Sequence, residues 1–282
     1  MIKQKTPPFS ITPEQRRELL ALFELASRGM LEITANKEIL ARALIISFDP
    51  LFLDADIKHS NHSAAAALHL DGKRLSVNEA FLHMEAVIVP NRFRDFNNSL
   101  IENLLTPFLE QNSIHTLIIL SQGSDKAFSF ARFAGKNRSS ALPDNTNAVT
   151  TAKPTYPIAP RLLNAALSGP EFLECSQPNQ TLFKLDSPWP VRDNRAIRTL
   201  TESKQLDSLQ DLGAAISVSG SSGGHLPNET TYRALRLKEQ LNSRVNIFHI
   251  QLPHLSGEEE KAPAVITQLE EIIKRLVTPA DS

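Results

Sequence analysis

The sequence predicts an α/β protein: three layers, α/β/α, around a mostly parallel twisted sheet, with an N-terminal helical extension. Three observations carry this expectation. Short apolar runs without polar alternation, "ALIISF", "EAVIVP", "TLIIL" and "VNIFHI", recur along the chain, and such runs suit strands covered on both faces. Segments with apolar residues at helical spacing separate them, and strands alternating with helices imply crossover connections and a parallel sheet. Strands also exit into small polar residues or Pro, as in "SFDP", "SQGS", "SGSSGG" and "QLPH". Ligands in such sheets sit beyond the carboxyl ends of the strands, so these four exits are expected to converge.

Residues 1–10 read as a loose arm. "ITPEQRRELLALFELASRG" reads as a helix: Thr12 is its N-cap, Pro13 suits the first helical position, Gln15 completes a capping box and Gly29 stops it. Leu19, Leu22, Phe23 and Ala26 form an apolar face by which the extension, residues 1–42, is expected to dock. "RALIISFDPLF" is a buried strand that runs into a loop at Asp49-Pro50. "SNHSAAAALHLDG" is a helix capped by Ser60 or Asn61. "EAVIVP" is a strand stopped by Pro90, "FNNSLIENLLTPFLEQN" an amphipathic helix bent at Pro107, and "HTLIILSQG" a third strand. "KAFSFARFAG" alternates apolar and small residues, which suits a strand. The main domain is expected over 43–282, with a loop-rich insertion around 146–200, where Pro, Asn and Ser abound. "SKQLDSLQDLG" reads as a short helix, "AAISVS" as a strand, and the segment from Pro227 as a helix. "VNIFHIQLP" is the last strand and "APAVITQLEEIIKRLV" a closing amphipathic helix.

The 282 residues allow one large domain or two small ones, and 41% hydrophobic with 22% charged residues is ordinary globular composition. A net charge of −1 gives no global field for nucleic acid or an anionic membrane, so neither is an expected partner. Cys175 is the only cysteine, which excludes an internal disulfide and suits a reducing compartment. "MIKQKTPPFS" has no apolar signal-peptide core, and no run approaches the roughly 18–20 apolar residues of a membrane span. The expected location is therefore the cytoplasm. No phosphate loop, dinucleotide fingerprint or HExxH is present, so no cofactor is expected. One cysteine excludes thiolate-rich zinc sites, and His59 and His62 have no evident third ligand, so no metal is expected either.

"SGSSGGHLPNETTYRALRL", 219–237, is the stretch most like a functional site: a strand, a tight Gly-rich loop, then a helix. "GSSGG" fits G-x-S-x-G with Ser222 as nucleophile, and the order Ser222, Glu229 or Glu239, His249 fits an α/β-hydrolase. In that elbow, however, the serine sits directly at the strand-to-helix turn, whereas "GGHL" separates Ser222 from the helix here. Ser221 is the other relocated nucleophile to consider. Backbone N–H groups of "SSGGHL" at the helix start are also able to bind an anion or small ligand. His249, inside an apolar strand, is open to two readings: a packed core residue or a base.

Five segments in order resemble the pyroglutamyl peptidase I (pyrrolidone-carboxylate peptidase) family of cysteine omega-peptidases. They are "SFDPLF", "VPNRF", "ARFAGKNRSSALPDN", "SGSSGGHLPNETTY" and "IFHIQLP". The likeness runs from about residue 43 to 275. It implies the α/β/α fold and a nucleophilic Cys at a helix N-terminus, served by a His and an orienting Glu. Carried onto this sequence, the Cys falls on Pro227, the Glu on Ala131 and the His on His249. Arg132, Asn228 and Tyr232 match the residues that follow the Glu and the Cys. Phe48 matches the first aromatic of the ring-binding loop, Leu51 replaces the second, and Lys136 stands at an Asn. Proline has no thiol or hydroxyl with which to form an acyl-enzyme, and alanine cannot fix a histidine tautomer. The resemblance therefore implies a family-like protein without the peptidase chemistry, binding a peptide or small molecule in the old pocket or acting as a scaffold. It also implies a homo-oligomer.

Overall fold

The computed structural model describes residues 11–33, 41–53, 55–77 and 80–277; the arm expected at 1–10 lies outside them. Helix α1 (Pro13–Ser27) starts as the sequence dictates. Thr12 Oγ1 accepts the Gln15 N–H at 3.2 Å, and Gln15 Oε1 accepts the Thr12 N–H at 2.9 Å. Gly29, at φ +73°, ends it. A Cβ on Gly29 would lie 2.6 Å from the Ala86 carbonyl oxygen, so this glycine also permits the contact with the body. The expected docking face is a correction: Leu19, Leu22 and Phe23 are exposed, Phe23 by 72%. The helix is held instead at its C-terminal end. Arg28 pairs with Asp49 at 2.6 Å, Glu24 with Arg92, and the Arg28 carbonyl accepts the Ile88 N–H.

Strand β1 (Ala41–Phe48) is buried along nearly its whole length, as its unalternating run requires. Helix α2 (His62–Leu70) follows, with Asn61 as its cap. Strand β2 (Arg74–Val77), unseen in the sequence, pairs antiparallel with β3 (Ala80–Val89). The single helix expected next is two, α3 (Phe93–Asn97) and α4 (Leu100–Gln111). The break falls at Asn98–Ser99, where Ser99 takes φ +68°, while Pro107 lies inside α4. Asn and Ser side chains compete with helical hydrogen bonding, and "NNS" outweighs the proline here.

Strand β4 (Thr116–Gln122) is as expected. "KAFSFARFAG" is instead two strands, β5 (Phe128–Ala131) and β6 (Phe133–Gly135), divided at Arg132. The insertion contributes a small hairpin, β7 (Arg161–Leu162) with β8 (Ala165–Ala166), and then β9 (Phe172–Glu174), which pairs with β6. Strand β10 (Val191–Asn194) lies beside β5. Strands β11 (Ala196–Thr199), β12 (Ser203–Gln205) and β13 (Ser217–Ser219) form a separate antiparallel sheet. Two expectations change here. "SKQLDSLQDLG" is β12 and one 3₁₀ turn rather than a helix, because its Ser and Asp residues favour turns. "AAISVS" yields β13, which joins the small sheet, so the "SGSSGG" exit does not leave the parallel sheet.

Helix α5 (Leu226–Gln240), strand β14 (Asn246–Leu252) and helix α6 (Ala262–Val277) complete the chain. The main sheet runs β10-β5-β14-β4-β1-β3-β2. Its four central strands are parallel; β2, β5 and β10 run against them. Alternate residues feed two cores. Ile45, Ile118 and Ile250 share one with Leu269 and Ile272 of α6 and Ala64, Ala66 and Ala67 of α2. Ile46, Ile119 and Ile247 share the other with Leu105 of α4 and Leu235 of α5. The molecule is thus the three-layer α/β/α sandwich expected. Among the described residues, no helix is long and apolar enough to cross a membrane.

Candidate functional site

Strand β14 aims His249 toward α5, on the same face as Ile247. Ser121, near the end of β4, lies on that face too. The His249 ring is fully buried and both nitrogens are taken: Nε2 meets Ser121 Oγ at 2.7 Å, and Nδ1 meets Thr231 Oγ1 at 2.7 Å. The Thr231 hydroxyl donates to the Pro227 carbonyl at 3.0 Å, so it accepts from Nδ1–H. Nε2 is left to accept the Ser121 hydroxyl. Burial pushes the ring's pKa down to about 3, so it is neutral at ordinary pH. The ring thus meets α5 one turn below Pro227. Pro227 occupies the first turn of α5, where its missing N–H removes no helical bond.

Ala131 ends β5, buried, opposite Asn194 of β10. Arg132 beside it is buried as well. Its guanidinium meets Asp193 twice, at 2.7 and 3.1 Å, and Glu174 at 3.3 Å. Asn194 Nδ2 donates to the Ser221 carbonyl. Ser221 is stitched to β6: its N–H donates to the Phe133 carbonyl and its Oγ accepts the Phe133 N–H. Ser222 Oγ is buried without a partner. Neither hydroxyl bonds His249. Cys175 is also buried, and desolvation pushes its thiol up to about 12, the reverse of an activated thiolate.

Asn228, on the first turn of α5, clamps β6: Oδ1 accepts the Gly135 N–H at 2.9 Å and Nδ2 donates to the Gly135 carbonyl at 2.7 Å. The clamp needs Gly220. A Cβ there would lie 2.3 Å from Asn228 Oδ1, 2.5 Å from the Phe133 carbonyl and 2.7 Å from the Gly135 nitrogen. Gly220→Ala is therefore expected to cost about 2–4 kcal/mol in urea unfolding, through overpacking and a lost hydrogen bond. Gly213→Ala, which meets nothing within 4 Å, should stay within about 0.5 kcal/mol. Equal midpoints for the two variants would refute the clamp.

Glu229, read from the sequence as a candidate partner for His249, faces the other way. It lies between Arg138 at 2.9 Å and Arg233 at 2.8 Å. Burial works to raise its carboxyl, but the two guanidiniums and their hydrogen bonds outweigh it and hold the pKa below the usual range. Phe48, expected to line a pocket, is 2% exposed and belongs to the core with Val87, Val89 and Phe93. Leu51 is half-buried, and its carbonyl meets His59 Nδ1. Asn145 Nδ2 holds the Pro50 carbonyl at 2.9 Å, which ties "DPLF" to "PDN".

Three residues that the sequence reading missed sit at this site. Ser121 and Thr231 hold the histidine; the available signal was that a buried imidazole needs two partners. The third, His225, stands at the N-cap position of α5 without a side-chain capping bond and packs edge-on to Phe93 with centroids 5.7 Å apart. Its Nε2 is buried without a partner, and desolvation pushes its pKa down to about 4.

A family model described as PA0049, C-terminal domain, matches residues 42–196, more than half of the chain. The chain belongs to the PA0049 C-terminal domain family. The match includes Phe48, Leu51, Ala131 and Arg132 and stops before Pro227 and His249. The uncharacterized protein PA0049 of Pseudomonas aeruginosa is 28% identical over 150 residues, 48% of this chain and 27% of that protein. The aligned part thus spans about a quarter of the relative's length. By structure, this PA0049-family chain is similar to pyroglutamyl peptidase I of Bacillus amyloliquefaciens, with a TM-score of 0.57 and 13% identity over 84% of this chain and 97% of that one. It is also similar to the pyrrolidone carboxyl peptidase of Thermus thermophilus, with a TM-score of 0.53 and 17% identity over 83% and 98%. At these identities the likeness establishes a shared fold.

Proposed function

We propose that this chain keeps the pyroglutamyl peptidase frame without its hydrolytic chemistry and serves as a binding or scaffold domain. The observation that carries this reading is the closed hydrogen-bonding of His249: both nitrogens are taken, and neither partner is a thiol or a carboxylate. A general base works best with a pKa near the operating pH, and a pKa of about 3 is far from it. Pro227 and Ala131, at the positions the resemblance gives to nucleophile and orienter, point the same way. A relocated serine is less favoured, because Ser221 is committed to β6 and Ser222 has no base bonded to it. A binding role is supported by unpartnered buried polar atoms near the strand exits. His225 Nε2 and Asn145 Oδ1 are two of them. His225 packs on Phe93, whose N–H is held by Asp144, the neighbour of Asn145. A peptide or small polar molecule is the class of ligand such atoms suit.

The test is turnover of a pyroglutamyl-amide substrate together with labelling by a fluorophosphonate. The expected result is no release above the background of His249→Ala protein, and no label lost on Ser222→Ala. Release at an enzymatic rate that disappears in His249→Ala, or Ser222-dependent labelling, would overturn the proposal.

A further inference from the structure

Helix α1 poses a problem that the other described residues do not solve. It has fifteen residues, and none is buried. A lone helix of that length is marginal in water, and its capping box adds only about 1 kcal/mol. Yet it carries leucines around much of its circumference. The inner side, with Ala21, Leu25 and Arg28, faces α3 and α4 across a cavity of about 600 Å³. The outer side gathers Leu19, Leu20, Leu22, Phe23 and Ala26, continued by Leu31. Leu19, Leu20, Leu22 and Phe23 are each half or more exposed. Such an apolar stripe calls for something to cover it.

We infer that the outer face of α1 pairs with the same face of a second copy of this chain, as an antiparallel two-helix seam on a two-fold axis. Three features single out this occupant. First, the stripe is self-complementary. A two-fold axis between Leu22 and Phe23 sets Leu19 against Ala26 of the second copy and Leu22 against its Phe23, large opposite small at the ends and apolar throughout. Second, the charges disfavour a lipid surface. Residues 12–28 carry Glu14, Glu18 and Glu24 against Arg16, Arg17 and Arg28, a net charge of zero. An interfacial membrane helix carries Lys and Arg on its polar face. Here Glu14 pairs with Arg17, and Glu24 with Arg28 and Arg92. Third, the area suffices. The exposed parts of Leu19, Leu20, Leu22, Phe23 and Leu31 amount to roughly 500 Å² per copy, about 1,000 Å² in all, the least that a specific interface needs. This surface lies outside the residues matched by the family, 42–196.

The experiment is sedimentation equilibrium of the full chain across concentration, beside Leu19→Glu/Phe23→Glu. Both residues are exposed in the single chain, so the substitutions leave its core intact. The expected result is a two-chain mass at micromolar concentration and a dissociation constant raised at least about 100-fold in the double variant. Leu22→Cys provides a second measurement that does not depend on the charged variant folding. Cys175 is buried, so mild oxidation should link two copies through position 22, whereas Tyr156→Cys, exposed elsewhere, should not link. A single-chain mass at all concentrations, a two-chain mass unchanged by Leu19→Glu/Phe23→Glu, or no link through position 22 would overturn the inference.

Discussion

Glu229→Ala is expected to destabilise the protein by about 3–5 kcal/mol, because it strands two buried guanidiniums. Arg233 is fully buried and meets Glu229 at 2.8 Å, Glu102 at 2.8 Å and the Arg161 carbonyl at 2.6 Å. Arg138 is nearly as buried, meets Glu229 and Asn97, and lies 4.8 Å from the centre of the Phe93 ring. Two cations and two carboxylates thus form one neutral cluster joining α4, α5 and the 137–145 segment. Removing Glu229 leaves two positive charges against one carboxylate, Glu102, which pairs with Arg233. Glu229→Gln keeps the shape but not the charge, so it should recover only part of the loss. Glu239→Gln, exposed on the same helix, should stay within about 0.5 kcal/mol. Urea denaturation at pH 7.5 measures all three. A loss under 1 kcal/mol for Glu229→Ala would mean that solvent reaches the cluster. Because Glu229 holds its proton less tightly than an ordinary carboxyl, its contribution is fully present above about pH 4.5 and is lost only as pH falls through its lowered pKa.

The same cluster shows where the sequence runs out. Glu229 and Arg233 are four apart, so their pairing is local and legible. Arg138 and Glu102 come from segments roughly a hundred residues away, and nothing local brings them there. The fold divides in the same way. The central strands β1, β3, β4 and β14 were legible because burial on both faces writes an unbroken apolar run. Strands β2, β10 and β12 were not, because edge and antiparallel strands carry mixed residues that pairing, not composition, makes into strands. At α1 the capping box was legible but the docking face was not. Apolar spacing says which side seeks cover, and only the anchoring by Arg28 and Gly29 says which side the body receives. At the site, the small residues of 220–224 read as a nucleophile loop. Their observed role is close backbone approach: Gly220 to β6, and Gly224 to Ser139.

Acid should unfold this protein from an unusually high pH, and the two site histidines are the reason. The folded pKa is about 3 for His249 and about 4 for His225, both lowered by burial, against about 6.5 in the unfolded chain. The unfolded chain therefore takes up protons below pH 6.5 that the native rings refuse. Their contribution is complete above pH 6.5 and declines as pH falls toward 3–4. A pH of 5 is about 1.5 units below the unfolded pKa, so each ring costs about 2 kcal/mol, together about 4 kcal/mol relative to pH 7.5. Glu229 is still ionised there, so the window from pH 7 to 5 isolates the imidazoles from the carboxylate cluster. Urea midpoints at pH 7.5, 6.5, 5.5 and 5.0 measure the slope. His249→Gln is expected to lower stability throughout, since Ser121 and Thr231 lose their partner, but to remove about half of the slope. His225→Phe should remove the other half. Flat stability from pH 7.5 to 5, or a slope unchanged by both substitutions, would show that the rings are hydrated and titrate normally. That outcome would also reopen His249 as a base, because a ring that protonates reversibly in the native state is one that water, and a substrate, can reach.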